Sequence, residues 1–384
     1  MTIARITLFL SIALIPVYLW PSGGMQLMHI MLGIYMLGYI LLYGFHNSIF
    51  NTLLLLLLLF MYTKDSAFII NNGLVSTLMP SLYLMYNICV VNIIRRAALQ
   101  KNESEIIKWG VVTALIVTVL ALFVNGFGVE NSVRSVGSFN NPNQLGYFSV
   151  CAISIALLFR VGNNLSVLSL ISVSILSFII AIFSLSKAAI ISVIVAIIFS
   201  FFTYFKTRRS KIIIGSMIIT VVVFMVFTMY SDGYLDNYSF VKRLENIGLQ
   251  SDDSFSGRGY LDIFNGTVLE IVTGRDSAVV RQIIGHEVHS TIFSFLVNYG
   301  LIGGGLILAI LFLWSLALYR SFGLLSVILV VAPTMLYGLS HNGSRFTMFW
   351  ILIALSFAIV DRKNKTIYKV KRNFRKFPNA LEDV

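Results

Sequence analysis

Charges are missing from long stretches of this chain, and that absence constrains its fold more than any motif does. Apolar segments fall at 5–21, 25–44, 48–63, 70–94, 109–126, 144–160, 165–184, 188–205, 212–230, 290–318, 322–340 and 346–360. Many approach the roughly 20 residues a helix needs to cross a bilayer's hydrocarbon core. Backbone N–H and C=O groups find no water in lipid, so each such segment must bond within itself, as a helix. Only 11% of the 384 residues are charged and 58% are hydrophobic, whereas a soluble domain carries about 25% charged residues. The expected fold class is an all-α polytopic membrane protein with about 12 transmembrane helices, the third of them (around Asn51 to Tyr62) short.

The placement of charge says which side faces where. A net charge of +12 would suit nucleic acid, but eight basic residues lie together after Trp350: Arg362, Lys363, Lys365, Lys369, Lys371, Arg372, Arg375 and Lys376. A basic run just past a final apolar segment reads as a cytoplasmic, lipid-facing tail. The bilayer is the expected partner, with no nucleic acid. Twelve segments put both termini on one side, which leaves 19 of the 28 basic residues cytoplasmic and nine outside, as the positive-inside bias requires. Cys89 and Cys151 both sit in apolar stretches, so neither a disulfide framework nor a metal site is expected. The first segment imitates a signal peptide but lacks a small-x-small cleavage site and runs into Pro21-Ser22-Gly23-Gly24; it reads as an uncleaved helix. The chain thus divides into helices 1–5 (residues 1–126), helices 6–9 with outer-face motifs (127–230), a large extracytoplasmic loop (231–289), helices 10–12 (290–360) and a basic tail (361–384).

Within the loop, Leu261, Phe264, Val268 and Ile271 recur at helical spacing. One apolar stripe predicts a short amphipathic helix lying on the membrane, capped by Ser256. Arg258 then falls in its first turn, against the helix dipole. Either a bound anion or an ion pair with Asp252, Asp253 or Asp262 relieves that misfit. Ahead of the sixth segment stands Asn131-Ser-Val-Arg134, then Gly137-Ser-Phe-Asn140-Asn141-Pro142-Asn143. Pro142 suits a first helical turn with Asn141 as cap, and a helix N-terminus near an Arg is a ready anion site; the same residues also serve as a plain turn and cap. Lys187 interrupts an apolar stretch. Such a charge points to function unless it snorkels from a tight outer turn.

His289 opens the tenth segment, with Phe293, Leu296, Gly300 and Gly303 following within a narrow arc of one helical face. The glycines turn that face into the bundle. Imidazole titrates near neutral pH and suits a general base; the alternatives are an interfacial hydrogen-bonding His and its neighbour His286. His341-Asn342-Gly343-Ser344-Arg345 caps the last two segments on the same side. Arg forks gathered at one membrane face suit a pyrophosphate, because guanidinium binds phosphate oxygens bidentately and never deprotonates. No GxxxxGK, HExxH or CxxC occurs, which removes support for nucleotide hydrolysis and zinc chemistry.

From about Arg134 to Trp350 the chain resembles the O-antigen polymerase and O-antigen ligase superfamily (Wzy and WaaL types), bacterial inner-membrane glycosyltransferases. The resemblance is carried by Gly-Ser-Phe-Asn-Asn-Pro-Asn (137–143), Ser-Leu-Ser-Lys (184–187), Ser-Gly-Arg (256–258) and His289-Ser290 followed by Gly300 and Gly303. It departs where Lys187 replaces Arg-Gly and where Gly274-Arg275-Asp276 replaces Gly-x-Gly. The resemblance implies transfer of a glycan from undecaprenyl pyrophosphate to an acceptor hydroxyl at the periplasmic face, with a chain-length regulator as partner. It makes His289, Arg258 and Arg134 the candidate catalytic residues: His289 takes the acceptor proton while the arginines stabilise the departing pyrophosphate. Lys187, Arg345, Asn140, Asn143, Arg275 and Arg281 are the candidate substrate-binding residues. No metal or cofactor is expected, although Asp252 and Asp253 form a secondary candidate for a divalent ion. A polymerase is preferred to a ligase; a flippase would need polar groups near the bilayer midplane, where these segments carry almost none.

Overall fold

A computed structural model describes residues 3–20, 24–44, 47–73, 75–124, 135–203 and 258–376. The expectations for Arg134, Asp252, Asp253, Ser256 and the ninth apolar segment lie outside these residues. The described residues fold into helices and connecting turns, without strands. The α-helices are α1 (Ile3–Ala13), α2 (Leu27–Tyr43), α3 (Ile49–Asn72), α4 (Met79–Ala97), α5 (Lys101–Val124), α6 (Pro142–Val161), α7 (Val167–Ser184), α8 (Lys187–Ser200), α9 (Val268–Thr273), α10 (Ser277–Ile284), α11 (Thr291–Phe322), α12 (Leu324–Ser340) and α13 (Thr347–Lys376). Five of them, α3, α5, α6, α7 and α11, are long and apolar enough to cross a membrane.

Two helices form the centre. Residues 145–159 of α6 are buried without interruption, as are residues 348–360 of α13. The surrounding helices expose apolar stripes at steps of three and four: Leu55, Leu59 and Tyr62 on α3, Ile116, Leu120 and Phe123 on α5, and Leu168, Ile171 and Ile175 on α7. A water-facing helix would carry charges at those positions. Here the apolar surface is left to lipid.

Of the boundaries that differ from the sequence reading, three have a clear local reason. The first helix stops at Ala13 instead of running to 21, since Pro16 disfavours helical geometry before it and lacks an N–H to continue the ladder. By contrast, α3 runs on through Lys64 and Asp65 to Gly73, whose left-handed φ of 71° and N–H bond to the Ile69 carbonyl (2.7 Å) end it. Both charges find protein partners, so they do not break the helix. The single amphipathic helix expected after Arg258 is two pieces, a 3-10 turn (Tyr260–Asn265) and α9, separated by extended Gly266. Thr267 caps α9 in a reciprocal capping box with Glu270. Three residues of the expected stripe, Leu261, Phe264 and Val268, are exposed, as is Leu269, whereas Ile271 is half-buried.

At one end of the bundle, Arg95 pairs with Asp361 at 2.8 Å, and Arg362 donates to Ser104 at 3.1 Å. The opposite end is where α3 finishes, α4 begins, α11 begins and α12 turns into α13. That end is hollow.

Candidate active site

A cavity of about 470 Å³ opens at the hollow end. Its wall includes Asn143 from the first turn of α6, Glu287 and His289 from the link between α10 and α11, and His341 and Arg345 from the turn between α12 and α13. Gln26, just before α2, and His29, in its first turn, close the remaining side.

Each wall element is fixed by short-range chemistry. Asn141 caps α6 by accepting the Asn143 N–H at 2.7 Å, with Pro142 in the first turn. The Tyr337 hydroxyl donates to the Asn143 carbonyl at 2.6 Å, and its ring stacks on Tyr147 with centroids 4.4 Å apart. That ties the start of α6 to α12. His289 lies just before Ser290, the N-cap of α11, and Ser290 Oγ donates to the Gly338 carbonyl at 3.0 Å. The His289 ring stacks on His286, with centroids 4.5 Å apart.

Sequence reasoning put His289 on a helical face shared with Gly300 and Gly303. The geometry is different. His289 precedes the helix, and α11 kinks at Gly300, whose φ of 61° and ψ of −163° are non-helical. Gly300 serves another purpose. Gly300 crosses the backbone at Val272 and Gly274 so closely that neither Gly300 nor Gly274 leaves room for a Cβ. The Arg275 N–H seals the crossing by donating to the Val297 carbonyl at 2.9 Å.

Arg258 is not in a first helical turn. It precedes Gly259, which takes a left-handed φ of 73° ahead of the 3-10 turn, so the expected conflict with a helix dipole does not arise. Instead its Nη1 donates to the Ser340 carbonyl at 2.9 Å, at the C-terminal end of α12, where a cation is favoured. This places Arg258 beside His341 at the cavity, although it is not part of the wall. Arg345 and Arg281 both pair with Glu287, the former at 3.1 Å. The remaining candidates do not line the cavity. Asn140 donates to the Trp20 carbonyl at 2.6 Å. Lys187 opens α8, where Ser184, Ser186 and Ala189 pack against Gly146 of α6. Arg275 pairs with Glu270 at 3.6 Å and donates to the Asn265 carbonyl. The described residues contain no cluster of three metal-ligating side chains.

Sequence reasoning missed Glu287 and a buried polar group beneath the loop. Lys64 donates to the carbonyls of Arg275 (3.0 Å) and Asn298, the latter beside the kink. Asp65 is 4% exposed and accepts from Ser81 and from the Tyr299 hydroxyl. Nearby Asp276 caps α10 by accepting the Ala278 N–H at 2.7 Å, and burial pushes its carboxyl above the usual range. The available signal was Lys64-Asp65 itself, a charged pair that reads as the end of an apolar segment.

Tyr260 holds the loop against the catalytic candidate. Its hydroxyl reaches the carbonyls of His289 (2.7 Å) and Leu339 (2.6 Å), and its ring stacks on Phe293 at 4.5 Å. Burial pushes the phenol upward, so it stays protonated and can donate. Tyr260→Phe keeps the stacking and removes the donor to two partly exposed carbonyls, at a cost of about 0.5–1.5 kcal/mol. A lowered thermal midpoint of the detergent-purified protein is expected, and an unchanged one would show that neither carbonyl depends on it.

No curated protein matches the chain. Residues 172–268 match the family model described as O-antigen ligase, a stretch that begins in α7, carries Lys187 and Arg258, and ends before His289. Together with the ordered motifs and the hollow end they build, this match supports the resemblance: the chain is similar to the O-antigen ligase and polymerase superfamily.

Proposed function

We propose that this protein is a membrane-embedded glycosyltransferase that polymerises oligosaccharide repeat units carried on undecaprenyl pyrophosphate, for O-antigen or a related surface polysaccharide. The observation that carries the reading is the cavity at one bundle end, where His289 and Arg345 meet polar groups from α6 and the α12–α13 turn. In the proposed step an acceptor hydroxyl oxygen bonds to the anomeric carbon of the donor glycan. The bond from that carbon to the phosphate oxygen breaks, and its electron pair leaves with the pyrophosphate. His289 takes the hydroxyl proton. Arg258, Arg134 and Arg345 stabilise the charge that develops on the leaving group, which is usually the largest single contribution to such catalysis. No metal need intervene, because paired cations already make pyrophosphate a good leaving group.

The topology proposed with this chemistry has about twelve spans, both termini in the cytoplasm, and the cavity facing the periplasm from the inner membrane. The charge distribution supports it. Ligation of a finished glycan to lipid A-core is the second reading, favoured by the description of the matching family. Lipopolysaccharide from a deletion strain separates the two on a gel. Loss of the polymerase leaves core bearing a single repeat unit, whereas loss of the ligase leaves naked core. An unaltered ladder, together with no polymer from lipid-linked repeat units incubated with purified protein, would overturn both.

A further inference from the structure

Glu287 stands between two guanidinium groups. Arg345 Nη1 reaches its carboxylate at 3.1 Å, and Arg281 pairs with the same carboxylate through Oε1 from the last turn of α10. These residues form the partition between the main cavity and a second one of about 290 Å³, since Glu287 and Arg345 line both while Arg281 lines the second. The Arg345 guanidinium also lies 5.9 Å from the centre of the Tyr83 ring, and Tyr83 too borders both cavities.

Two positive charges against one negative leave the partition attractive to a further anion. The pairing is weakly held. The side chains of Arg281, Glu287 and Arg345 are 60%, 36% and 41% exposed, and ion pairs so open to water contribute little. Glu287 also sits on the short link between Gly285 and Ser290. The link itself is held, by Tyr260 at the His289 carbonyl and by buried Val288, so the Glu287 carboxylate leaves by rotation of its own partly exposed side chain. A diphosphate offers more charge and more acceptor oxygens to the same forks than a carboxylate does.

We propose that Glu287 is a built-in stand-in for a diphosphate. Its carboxylate occupies the Arg281–Arg345 site while the site is empty, and an incoming diphosphate displaces it and joins the two cavities. The inference rests on the proposed handling of lipid-linked diphosphate, but its test does not depend on glycan transfer. Inorganic pyrophosphate is titrated into the full-length protein in detergent by calorimetry. Glu287→Gln keeps the shape of the side chain and removes the competing charge, and should tighten binding about tenfold. Adding Arg345→Met to that variant should reverse the gain. The second titrant is undecaprenyl pyrophosphate in mixed micelles. A gain for both ligands assigns the site to the diphosphate group, and a gain for the lipid alone assigns it to the lipid-linked form. Equal or weaker binding of both by Glu287→Gln, at an unchanged thermal midpoint, overturns the proposal. If that variant is unstable, Glu287→Ser takes its place under the same criterion. Polymer formation by wild-type protein is scored separately, so the proposed function can stand where this inference fails.

Discussion

Replacing His289 by Ala is expected to abolish polymer while leaving normal amounts of protein in the membrane. Removal of a positioned general base typically costs about 10²–10⁴ in rate, enough to erase a ladder of long chains on a gel. The structural cost should be small. The ring stacks on His286, but the fold uses the backbone carbonyl, which Tyr260 holds, and an Ala at 289 retains that carbonyl. Ser290, which caps α11, is also left in place. His286→Ala is the matching control. It removes the stacking partner without removing the imidazole in the cavity wall, so chain length should shorten far less. Normal chain length in His289→Ala would end the assignment of the base. Loss in both variants at equal protein level would assign the effect to the stacked pair, and no longer to His289 alone.

Local chemistry was legible in the sequence, and long-range partnership was not. The Asn141-Pro142 cap could be read directly because its donor and acceptor lie two residues apart. The apolar segments likewise appear mostly as helices where described, with stops after Ala13 and at Gly73, since lipid favours backbone bonded within its own segment. The position of Arg258 in the sequence suggests a conflict with a helix dipole, yet it meets a carbonyl 82 residues away. No periodicity reports such a contact. Lys64 and Asp65 hid for the opposite reason: their charge argues for the end of a segment until Ser81, Tyr299 and two carbonyls are seen to satisfy them. The spacing of Gly300 from His289 suggests a packing face. Its actual role, crossing another stretch of backbone, needs the fold to be seen.

That crossing gives the largest expected loss of stability. Gly300 (φ 61°, ψ −163°) and Gly274 (φ 84°, ψ 166°) both occupy a backbone region essentially confined to glycine, which costs other residues about 1–3 kcal/mol. A Cβ on Gly300 would collide with the Gly274 nitrogen and the Val272 carbonyl, and one on Gly274 with the backbone of Asn298 and Tyr299. Backbone cannot step aside as a side chain can, so overpacking adds about 1–3 kcal/mol more. Either Gly300→Ala or Gly274→Ala should therefore lose about 2–6 kcal/mol, seen as a marked fall in thermal midpoint. Gly305→Ala is the control on the same helix: its Cβ meets nothing within 4 Å, and a helical glycine replaced by Ala gains about 0.5–1 kcal/mol. The double variant at 274 and 300 should lose less than the sum of the singles, because either one already separates the two strands of backbone. Full additivity would mean that the glycines act independently and that no shared crossing exists. The loop from Gly274 to Ser290 carries Arg281, Glu287 and His289, so freeing it at this point should also unseat the cavity wall and lower polymer yield per molecule of folded protein.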